Sequence, residues 1–442
     1  MSSLDLQLPD LGFAARRQAV LERLGNGIAV FRAPELAVHA NDVEYRYRPE
    51  SNFYYLTGFP EPGAVAALDA ASDRERFVLF VPPRDPERET WTGRRAGVEG
   101  AIMEYGADAA YPLQELEDRL VPLIARAEQL FYHLGNDEAL DLQMLDLARR
   151  AWASRPRAAS GLPHSIIDPG PIVHEMRLFK SEAELAWMRR AIAIAAEAHR
   201  EAMRETRPEM GENEIEALVE YTFRRRGASG WAYPSIIAGG KNATILHYTA
   251  NRDRLRDGDL LLIDAGAELG CYCADITRTF PVGRDFRPPQ RRAYEIVLES
   301  QLEAIRLIRP GATIDEVHDR AVAVLVDGLR SLGLLREPRD KILADALYRP
   351  YYMHRTSHWL GMDVHDVGAY RSGTGSRRLE PGMVLTVEPG LYFSPQLAEV
   401  PEEYRGIGIR IEDDVLVTPQ GHEVLSAAVP KSVEDVLALR AG

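Results

Sequence analysis

Apolar and polar residues alternate along the chain in patterns that predict an order of strands and helices. Short continuous apolar runs bounded by turn residues predict strands. In the first third of the chain these runs are 27–32, 64–69, 77–82 and 129–134. Apolar residues spaced three and four apart predict helices there over 11–24, 113–127 and 137–153. This alternation of strands with helices favours an α/β domain.

Two segments in the first 172 residues have a different character. Residues 46–63 are aromatic and rich in turn residues, which predicts a loop with a short buried piece. The segment Ser154–Pro171 is rich in Pro, Gly and Ser and predicts a linker. We therefore expect one domain over residues 1–172 and a second over 173–442.

The second domain carries two helix starts of the same kind. Ser181 with Glu184, and Thr313 with Glu316, have the spacing of a capping box, in which each residue's side chain bonds the other's backbone N–H. The predicted helices are one beginning at Ser181, one over 212–226, one after Pro289 ending at Ile308, and one from Thr313 to Leu332. Strands are predicted late in the chain over 384–393 and 405–417.

The stretch 257–275 is the most informative part of the chain. An apolar run over 260–263 predicts a strand buried on both faces, and Asp264 stands at its end. A buried carboxylate is costly unless a cation compensates its charge. Past a turn predicted at 268–270, Asp275 is expected on a second strand, where it can converge with Asp264. Taken alone, either aspartate could equally cap a turn.

The same pattern recurs later in the chain. Glu412 follows the second copy as Asp275 follows the first, and the helices before each copy repeat as well. The paired positions are Leu261 with Leu385, Ile263 with Val387, Asp264 with Glu388, and Gly266 with Gly390. The repeat predicts a pseudo-two-fold domain with its site on the axis. An insertion in the second half carries His354, His358 and His365, which makes His358 a candidate ligand between the two acidic pairs.

Charge and composition exclude several classes of function. The net charge of −14 argues against nucleic acid and anionic membranes as partners. No apolar run reaches the ~20 residues of a membrane span, and the first residues lack the pattern of a signal peptide. The two cysteines, Cys271 and Cys273, stand too close on one strand for a favourable disulfide. We therefore expect a reduced, cytoplasmic protein.

Motifs along most of the chain resemble those of aminopeptidase P, the Xaa-Pro aminopeptidase branch of the creatinase and methionine aminopeptidase ("pita-bread") superfamily. They are SNFYYLTGFPEPG (51–63), HEMRLFKS (174–181), ILHY (245–248), LIDAG (262–266), DITRTFPV (275–282), SHWLGMDVHDVG (357–368), GMVLTVEPGLY (382–392) and YRGIGIRIEDD (404–414). The resemblance implies an N-terminal creatinase-like α/β domain followed by a pseudo-two-fold pita-bread catalytic domain, an α/β (α+β) fold.

The resemblance also implies a dinuclear metal centre. Asp275 and Glu412 would bridge two divalent ions, Asp264 would complete one ion, and His358 with Glu388 would complete the other. A set of four carboxylates and one imidazole is rich in hard oxygen ligands, which favours Mn2+ over metals that prefer thiolates.

Further roles follow from the same resemblance. Glu388 would act as the general base in release of the N-terminal residue from peptides with proline in the second position. Substrate-side roles fall on His247, His354, His365 and Tyr392, a position beside the metals on Arg410, and a contribution to a neighbouring subunit's site on Trp91. An ordinary half-buried aromatic is an equal alternative for Trp91. Relatives form dimers and tetramers, so a homo-oligomer is expected.

Several alternatives stay open at this point. A prolidase, which cleaves only Xaa-Pro dipeptides, uses the same ligand set. A methionine aminopeptidase would leave the first domain unexplained, and the superfamily's metal-free enzymes and peptide-binding proteins would have lost ligands. Arg355 departs from the pattern of some relatives and could narrow the substrate pocket, and either Arg371 or Arg377 could lie near the substrate carboxylate. Cys271 and Cys273 would share a strand face with Asp275 if that strand were regular.

Overall fold

Two structural units divide the chain in the computed structural model, which describes residues 8–154 and 165–441. One unit is Asp10–Met176, and the other continues from Arg177 and takes in Pro9. The predicted domain boundary and the observed division fall in the same helix, Gly170–Leu178. Most of the predicted linker lies outside the described residues.

The N-terminal unit contains the predicted alternation of strands and helices. Its helices are α1 (Phe13–Leu21), α2 (Ser51–Thr57), α3 (Pro86–Thr92), α4 (Gly97–Met103), α5 (Leu116–Arg126) and α6 (Glu138–Ala153), followed by α7 (Gly170–Leu178), which runs into the next unit. Its strands are β1 (Gly27–Arg32), β2 (Val38–Ala40), β3 (Val43–Glu44), β4 (Val65–Asp69), β5 (Phe77–Val81), β6 (Ala109–Pro112), β7 (Gln129–Phe131) and β8 (Ile166–Ile167).

Six of these strands form one mixed sheet in the order β6-β5-β4-β1-β7-β8. The strands β1, β4 and β5 pair antiparallel, and the outer strands join them in parallel. Apolar side chains of the sheet, of α5 and of α6 form the core, so the predicted α/β domain is confirmed. The short buried piece expected within 46–63 is α2, whose N-cap Glu50 accepts hydrogen bonds from the N–H groups of Asn52 and Phe53.

The C-terminal unit is built from long helices and short strands. Its helices are α8 (Glu182–Glu205), α9 (Glu212–Arg225), α10 (Pro288–Arg306), α11 (Ile314–Ser331), α12 (Arg339–Ala344) and α13 (Val433–Ala441). Its strands are β9 (Gly230–Trp231), β10 (Ile236–Gly239), β11 (Leu260–Asp264), β12 (Ala267–Leu269), β13 (Tyr272–Cys273), β14 (Thr277–Pro281), β15 (Arg371–Ser372), β16 (Gly375–Ser376), β17 (Val384–Val387), β18 (Gly390–Tyr392), β19 (Gly408–Arg410), β20 (Asp413–Thr418) and β21 (Gly421–Val424).

Both predicted capping boxes are present. Ser181 N–H donates to Glu184 at 2.9 Å, and Glu184 N–H donates back to the Ser181 hydroxyl at 3.3 Å. The pair Thr313 and Glu316 repeats this arrangement at 2.7 and 3.2 Å at the start of α11. Each box satisfies backbone donors that would otherwise lack a partner in the first turn of the helix.

The predicted repeat is confirmed by the sheet topology. In the first copy, β11 pairs antiparallel with β14, and the hairpin β12–β13 lies between them in the chain. In the second copy, β17 pairs antiparallel with β20, and the pair β18–β19 lies between them. A pair of packed helices precedes each copy, α8 with α9 and α10 with α11. The two halves therefore place their acidic residues at corresponding points.

The strands break where the acidic residues stand, which corrects part of the sequence prediction. The strands expected over 384–393 and 405–417 are each two strands, interrupted at Glu388 and at Glu412. Asp275 likewise lies between β13 and β14 rather than on a strand. The reason is that β11 and β14 belong to one sheet and β12 and β13 to another, so the chain changes sheets at each acid.

The turn between β12 and β13 is also displaced from its predicted place. It is made by Gly270 and Cys271, which have φ values of 57° and 66°, rather than by residues 268–270. Positive φ at both central residues is the geometry of a tight two-residue hairpin. Cys271 therefore lies in a turn and shares no strand face with Asp275.

Gly266 and Gly390 have the same role in the two copies. A Cβ atom on Gly266 would lie 1.7 Å from the carbonyl oxygen of Ala274, and one on Gly390 would lie 2.8 Å from that of Ile409. The neighbouring strand therefore approaches the backbone more closely than any side chain would permit.

We expect Gly266→Ala to lower the free energy of unfolding by about 1–3 kcal/mol, because the added methyl must displace a backbone carbonyl. Urea unfolding of metal-free protein measures this loss. Gly375→Ala is the matched control, since its Cβ would meet nothing closer than 4.0 Å. Equal stability of the two variants would contradict the close approach.

Candidate metal centre

The four sheet junctions bring the predicted acidic residues to one buried place. Asp264 ends β11, Asp275 precedes β14, Glu388 follows β17 and Glu412 precedes β20. His358 enters from the insertion, where its N–H donates to the Thr386 hydroxyl and its carbonyl accepts from Thr386 N–H. All five predicted ligands therefore come from strand ends or are held by a strand.

The distances within this group are short enough for a shared cation. Ligand atoms of Asp275, His358 and Glu412 all lie within 4.8 Å of one another. The His358 Nε2 atom lies 3.4 Å from Asp275 Oδ2 and 3.7 Å from Glu388 Oε1. Asp264 lies beside Asp275, since the hydroxyl of Tyr233 is 2.5 Å from a carboxylate oxygen of each.

The ring of His358 is oriented for metal binding. Its Nδ1 atom is 3.0 Å from the carbonyl oxygen of Trp359, so Nδ1–H donates there. This bond leaves Nε2 facing the carboxylates, where its lone pair would be available to a bound metal ion. A backbone carbonyl that fixes the tautomer in this way is the usual support of a histidine ligand.

The crowding of negative charge at this place shows that the residues suit a bound metal ion. Burial, together with the charges of Asp275 and Asp264, raises the pKa of Glu388 to about 7. Burial and the charges of Asp275 and Glu388 raise the pKa of Glu412 well above its usual range. Carboxylates crowded in this way cannot all ionise without added cations. Divalent ions supply that charge, and oxygen-rich donor sets suit them.

Arg410 and Thr277 form hydrogen bonds with two of the predicted ligands, Asp264 and Glu412. The Arg410 guanidinium donates to Asp264 Oδ2 at 2.6 Å, to the Tyr392 hydroxyl at 3.0 Å and to the Thr277 hydroxyl at 3.2 Å. Thr277 in turn donates to Glu412 Oε2 at 2.6 Å. Arg410 thus holds Asp264, one of the predicted ligands, in position.

Tyr233 and Thr277 are site residues that the sequence reasoning missed. Tyr233 lies just after the short strand β9 and is brought to the acids only by the tertiary fold. Burial and the Asp264 and Asp275 charges raise the pKa of its hydroxyl well above the usual value, so it remains a donor. Thr277 lies in the quoted DITRTFPV motif, and its position two residues after Asp275 was an available signal.

His354 lies between Glu388 and Tyr392. Its Nε2 atom is 2.9 Å from the Tyr392 hydroxyl, and its Nδ1 atom is 2.8 Å from the carbonyl of Arg355 and 3.5 Å from Glu388 Oε2. Burial, together with the Arg410 charge, lowers the pKa of His354 to about 3. His354 is therefore neutral at physiological pH, with Nδ1–H donating to the Arg355 carbonyl.

The other predicted substrate-side residues differ in how the structure places them. The His365 ring packs edge-on against the His358 ring with centroids 4.6 Å apart. His247 is exposed on the segment that follows the short 3-10 helix Gly240–Thr244. Trp91 is 86% exposed on α3 of the N-terminal unit, so the alternative of a half-buried aromatic is wrong.

A buried ion network fixes the loop that carries His365. Arg177 donates to Asp363 at 2.7 Å and to Asp366 at 2.5 Å, on either side of this histidine. Lys180 lies 3.0 Å from the other oxygen of Asp366, and both partners are almost fully buried. The HEMRLFKS motif supplies both cations, so this motif anchors the histidine loop.

The structure places the arginines and cysteines whose roles the sequence left open. Arg355 forms an ion pair with Asp315, a residue of α11. Arg371 is exposed on the hairpin β15–β16, whereas Arg377 lies 3.5 Å from Glu380 with its guanidinium over the Phe179 ring. The Cys273 thiol is buried and donates to the carbonyl of Met362, and Cys271 lies in the turn.

Comparison with known proteins agrees with this geometry. The model of metallopeptidase family M24 matches residues 186–419, and that of the aminopeptidase P N-terminal domain matches residues 13–132. The chain belongs to metallopeptidase family M24. Membership of this family implies divalent metal ions at the site.

Several named relatives match this chain over nearly its whole length. It is 46% identical to the Xaa-Pro aminopeptidase of Escherichia coli (strain K12), with 97% of each chain covered. The structure of Pseudomonas aeruginosa aminopeptidase PepP matches it with a TM-score of 0.96 at 46% identity, covering 99% of each chain. A variant of Escherichia coli aminopeptidase P in complex with substrate matches with a TM-score of 0.93 at 45% identity, covering 97% of each chain. These matches confirm the predicted two-domain fold.

Among the described residues, no helix has both the length and the apolar character needed to cross a bilayer.

We expect Asp366→Asn to lower the free energy of unfolding by about 3–5 kcal/mol, because it removes the carboxylate that both the buried Lys180 and the buried Arg177 charges face. Chelator-treated protein in urea gives this value free of metal effects. Glu380→Gln, which neutralises an exposed carboxylate 3.5 Å from Arg377, is the matched control and should change stability by less than about 1 kcal/mol.

The same variant should change the dependence of stability on pH. Although burial alone would raise it, Lys180 and Arg177 bring the pKa of Asp366 below its usual range. A carboxylate with a lowered folded pKa stabilises the fold above its unfolded pKa of about 4, and this contribution is lost as the pH falls through the folded value. The stability of the unsubstituted protein should thus fall more steeply below about pH 4 than that of Asp366→Asn. Parallel pH profiles would contradict this assignment.

Proposed function

We propose that the protein is a dinuclear metal-dependent exopeptidase that releases the N-terminal residue from peptides with proline in the second position. The observation that carries the proposal is the buried convergence of four carboxylates and one imidazole at corresponding points of a duplicated fold. The full-length similarity to Xaa-Pro aminopeptidases supports the substrate class.

We further propose two divalent ions, with Mn2+ as the natural metal. Asp275 and Glu412 are suited to bridge them, because they stand at corresponding positions of the two copies and lie close to His358. Asp264 would complete the site of one ion, and His358 with Glu388 that of the other. Four carboxylates match the charge of two divalent ions and form a donor set that suits Mn2+.

The chain's own residues supply the remaining parts of the mechanism. When bound, the ions would acidify a water molecule and polarise the scissile carbonyl. Glu388, which lies between His354 and His358, would accept the proton of that water and pass it to the imino nitrogen of proline. Arg410 holds Asp264 in position throughout.

Substrate binding falls to the side chains around this acid. His247, His354 and His365 are proposed to line the substrate side, and Tyr392 holds His354 through its hydroxyl. The peptide's free amine is a cation, which the carboxylate-rich site favours by charge. Proline at the second position lacks an N–H donor, so its ring must be recognised by shape.

A cytoplasmic homo-oligomer, either a dimer or a tetramer, completes the proposal. Both thiols are buried and reduced, in keeping with a reducing compartment. The exposed Trp91 is a large aromatic of the kind enriched at interfaces, which supports its proposed contribution to a neighbouring subunit's site.

The second candidate is a prolidase that uses the same metal centre. The two activities differ in whether the site accepts a chain beyond proline. The names of the full-length relatives favour the aminopeptidase. Exposed Arg355 is paired with Asp315, and this ion pair favours a substrate site that Arg355 does not close.

Hydrolysis of matched substrates tests the activity. We expect the Mn2+-loaded protein to cleave a Xaa-Pro-Xaa tripeptide, and Glu388→Gln to lower kcat by at least about 100-fold because it removes the proton acceptor. Glu402→Gln, at an exposed glutamate, is the matched control and should leave kcat unchanged. Cleavage of the Xaa-Pro dipeptide alone would assign the protein to the prolidases.

Metal content tests the ligand set separately from activity. After dialysis against Mn2+, elemental analysis should find two ions per chain, and His358→Ala should lower this content because the imidazole is replaced by a methyl. His39→Ala, on the exposed strand β2 of the N-terminal unit, should retain both ions. A single ion in the unsubstituted protein would refute the dinuclear site, even if the protein were active.

A further inference from the structure

The C-terminal unit contains a cavity that lies away from the acidic centre. Its volume is about 740 Å³, within the range of small-molecule pockets. The strands β10 and β11 run from one site to the other, since Ile236 pairs with Asp264 while Gly239 and Leu260 line the cavity. On β10, Ile236 and Gly239 are three residues apart, which corresponds to about 10 Å along a strand.

Basic side chains dominate the lining of this cavity. It contains six cations but only two carboxylates, Asp253 and Asp259. The six are Lys241, Arg252, Arg254, Arg256, Arg287 and Arg405. Such an excess stands out in a chain whose net charge is −14. Like charges held around one concave surface repel one another, so the cavity favours an anion.

The two carboxylates of the lining do not cancel this charge. Asp253 accepts a hydrogen bond from the side-chain amide of Asn242 at 2.9 Å. The Asp259 carboxylate packs against Gly240, within 2.8 Å of where a Cβ would stand. Burial raises the pKa of Asp259, and the charges of Arg287 and Arg256 oppose that rise.

The six cations form no ion pair with a carboxylate in the described part of the chain, although Asp259 lies near Arg287 and Arg256. Arg254 and Arg405 donate to backbone carbonyls, of Glu209 and of Val400 and Ala398, which carry no formal charge. The other four make no side-chain hydrogen bond or ion pair within residues 8–154 and 165–441. They are Lys241, Arg252, Arg256 and Arg287.

We propose that this cavity binds a polyphosphate anion, either inorganic triphosphate or the triphosphate of a nucleotide. Arginine forks match the paired oxygens of phosphate groups, and lysine adds a point charge. An excess of four positive charges on the lining is of the same order as the charge of a triphosphate. The apolar lining is limited to Leu260 and Ile407 besides glycine, so the phosphates rather than an apolar group are recognised.

The cavity wall continues into segments that carry the metal site's residues. Gly240, Lys241 and Asn242 begin the segment that leads to His247, and Arg405 to Ile407 lead into β19, which ends at Arg410. These two walls are locked together, because a Cβ on Gly408 would lie 2.1 Å from the carbonyl oxygen of Ala243. An anion that bridges Lys241 and Arg405 would therefore stabilise the support of the acidic centre.

Calorimetric titration of the metal-loaded, full-length protein with inorganic triphosphate tests the proposal. We expect binding at a ratio of one per chain that weakens as salt is added. Lys241→Gln/Arg287→Gln should raise the Kd about 100-fold, because each lost charged hydrogen bond contributes about a factor of ten. Unaltered binding in this variant would overturn the proposal.

Two controls separate the cavity from other sources of binding. Arg309→Gln/Arg336→Gln removes the same charge at exposed positions outside the lining, and it should bind triphosphate as the unsubstituted protein does. Glu388→Gln should also retain binding, whereas its loss there would place the anion on the metals and refute the cavity site.

Two further arms identify the ligand and guard against misfolding. ATP that binds as tightly as inorganic triphosphate would show that the phosphates alone are recognised, and tighter binding of ATP would assign the site to a nucleotide. Binding of an acidic peptide in place of triphosphate would overturn the proposal in favour of a protein partner. Arg287→Lys, which keeps the charge, should retain more affinity than Arg287→Gln, and equal loss in both would contradict a charge-based site.

Discussion

The organising constraint of this protein is the convergence of four carboxylates, three of them buried, at one place. Negative charges that are close together and largely removed from water repel each other strongly, so the four carboxylates can all be ionised only with cations present. The partners within the chain are Arg410, His358 and the hydroxyls of Tyr233 and Thr277. These partners orient the carboxylates without neutralising them, which leaves negative charge for divalent ions to match.

The duplicated architecture explains how the chain meets this constraint. Each half places one acid at the end of a strand and another just before the paired strand, at the points where the backbone passes from one sheet to the next. At such a junction the side chain is released from the regular alternation of a strand and can turn to the centre. Gly266 and Gly390 permit the neighbouring backbones to approach there. The positions of the four acidic residues are thus set by the ends of paired strands.

The distribution of charge separates two parts of the same unit. Carboxylates are gathered at one end of β10 and β11, and lysine and arginine side chains line the cavity at the other end. Elsewhere in the unit, buried cations serve a structural role, as where Arg177 and Lys180 hold both sides of the His365 loop. Paired charges therefore stabilise the fold of this unit, whereas the basic side chains of the cavity line a concave surface.

The sequence by itself determined the α/β character of the first domain, the capping boxes, the repeat and the five residues that converge at the centre. Such features depend on local period and on spacing, which are written along the chain. Other features were decided only by the tertiary structure. Strands predicted as continuous are broken at Glu388 and Glu412, and Asp275 stands between strands, because the exchange between sheets depends on which strands pair. Tyr233 and the cationic cavity were not foreseen for the same physical reason, since residues far apart in the chain become neighbours only when the strands pair and the helices pack.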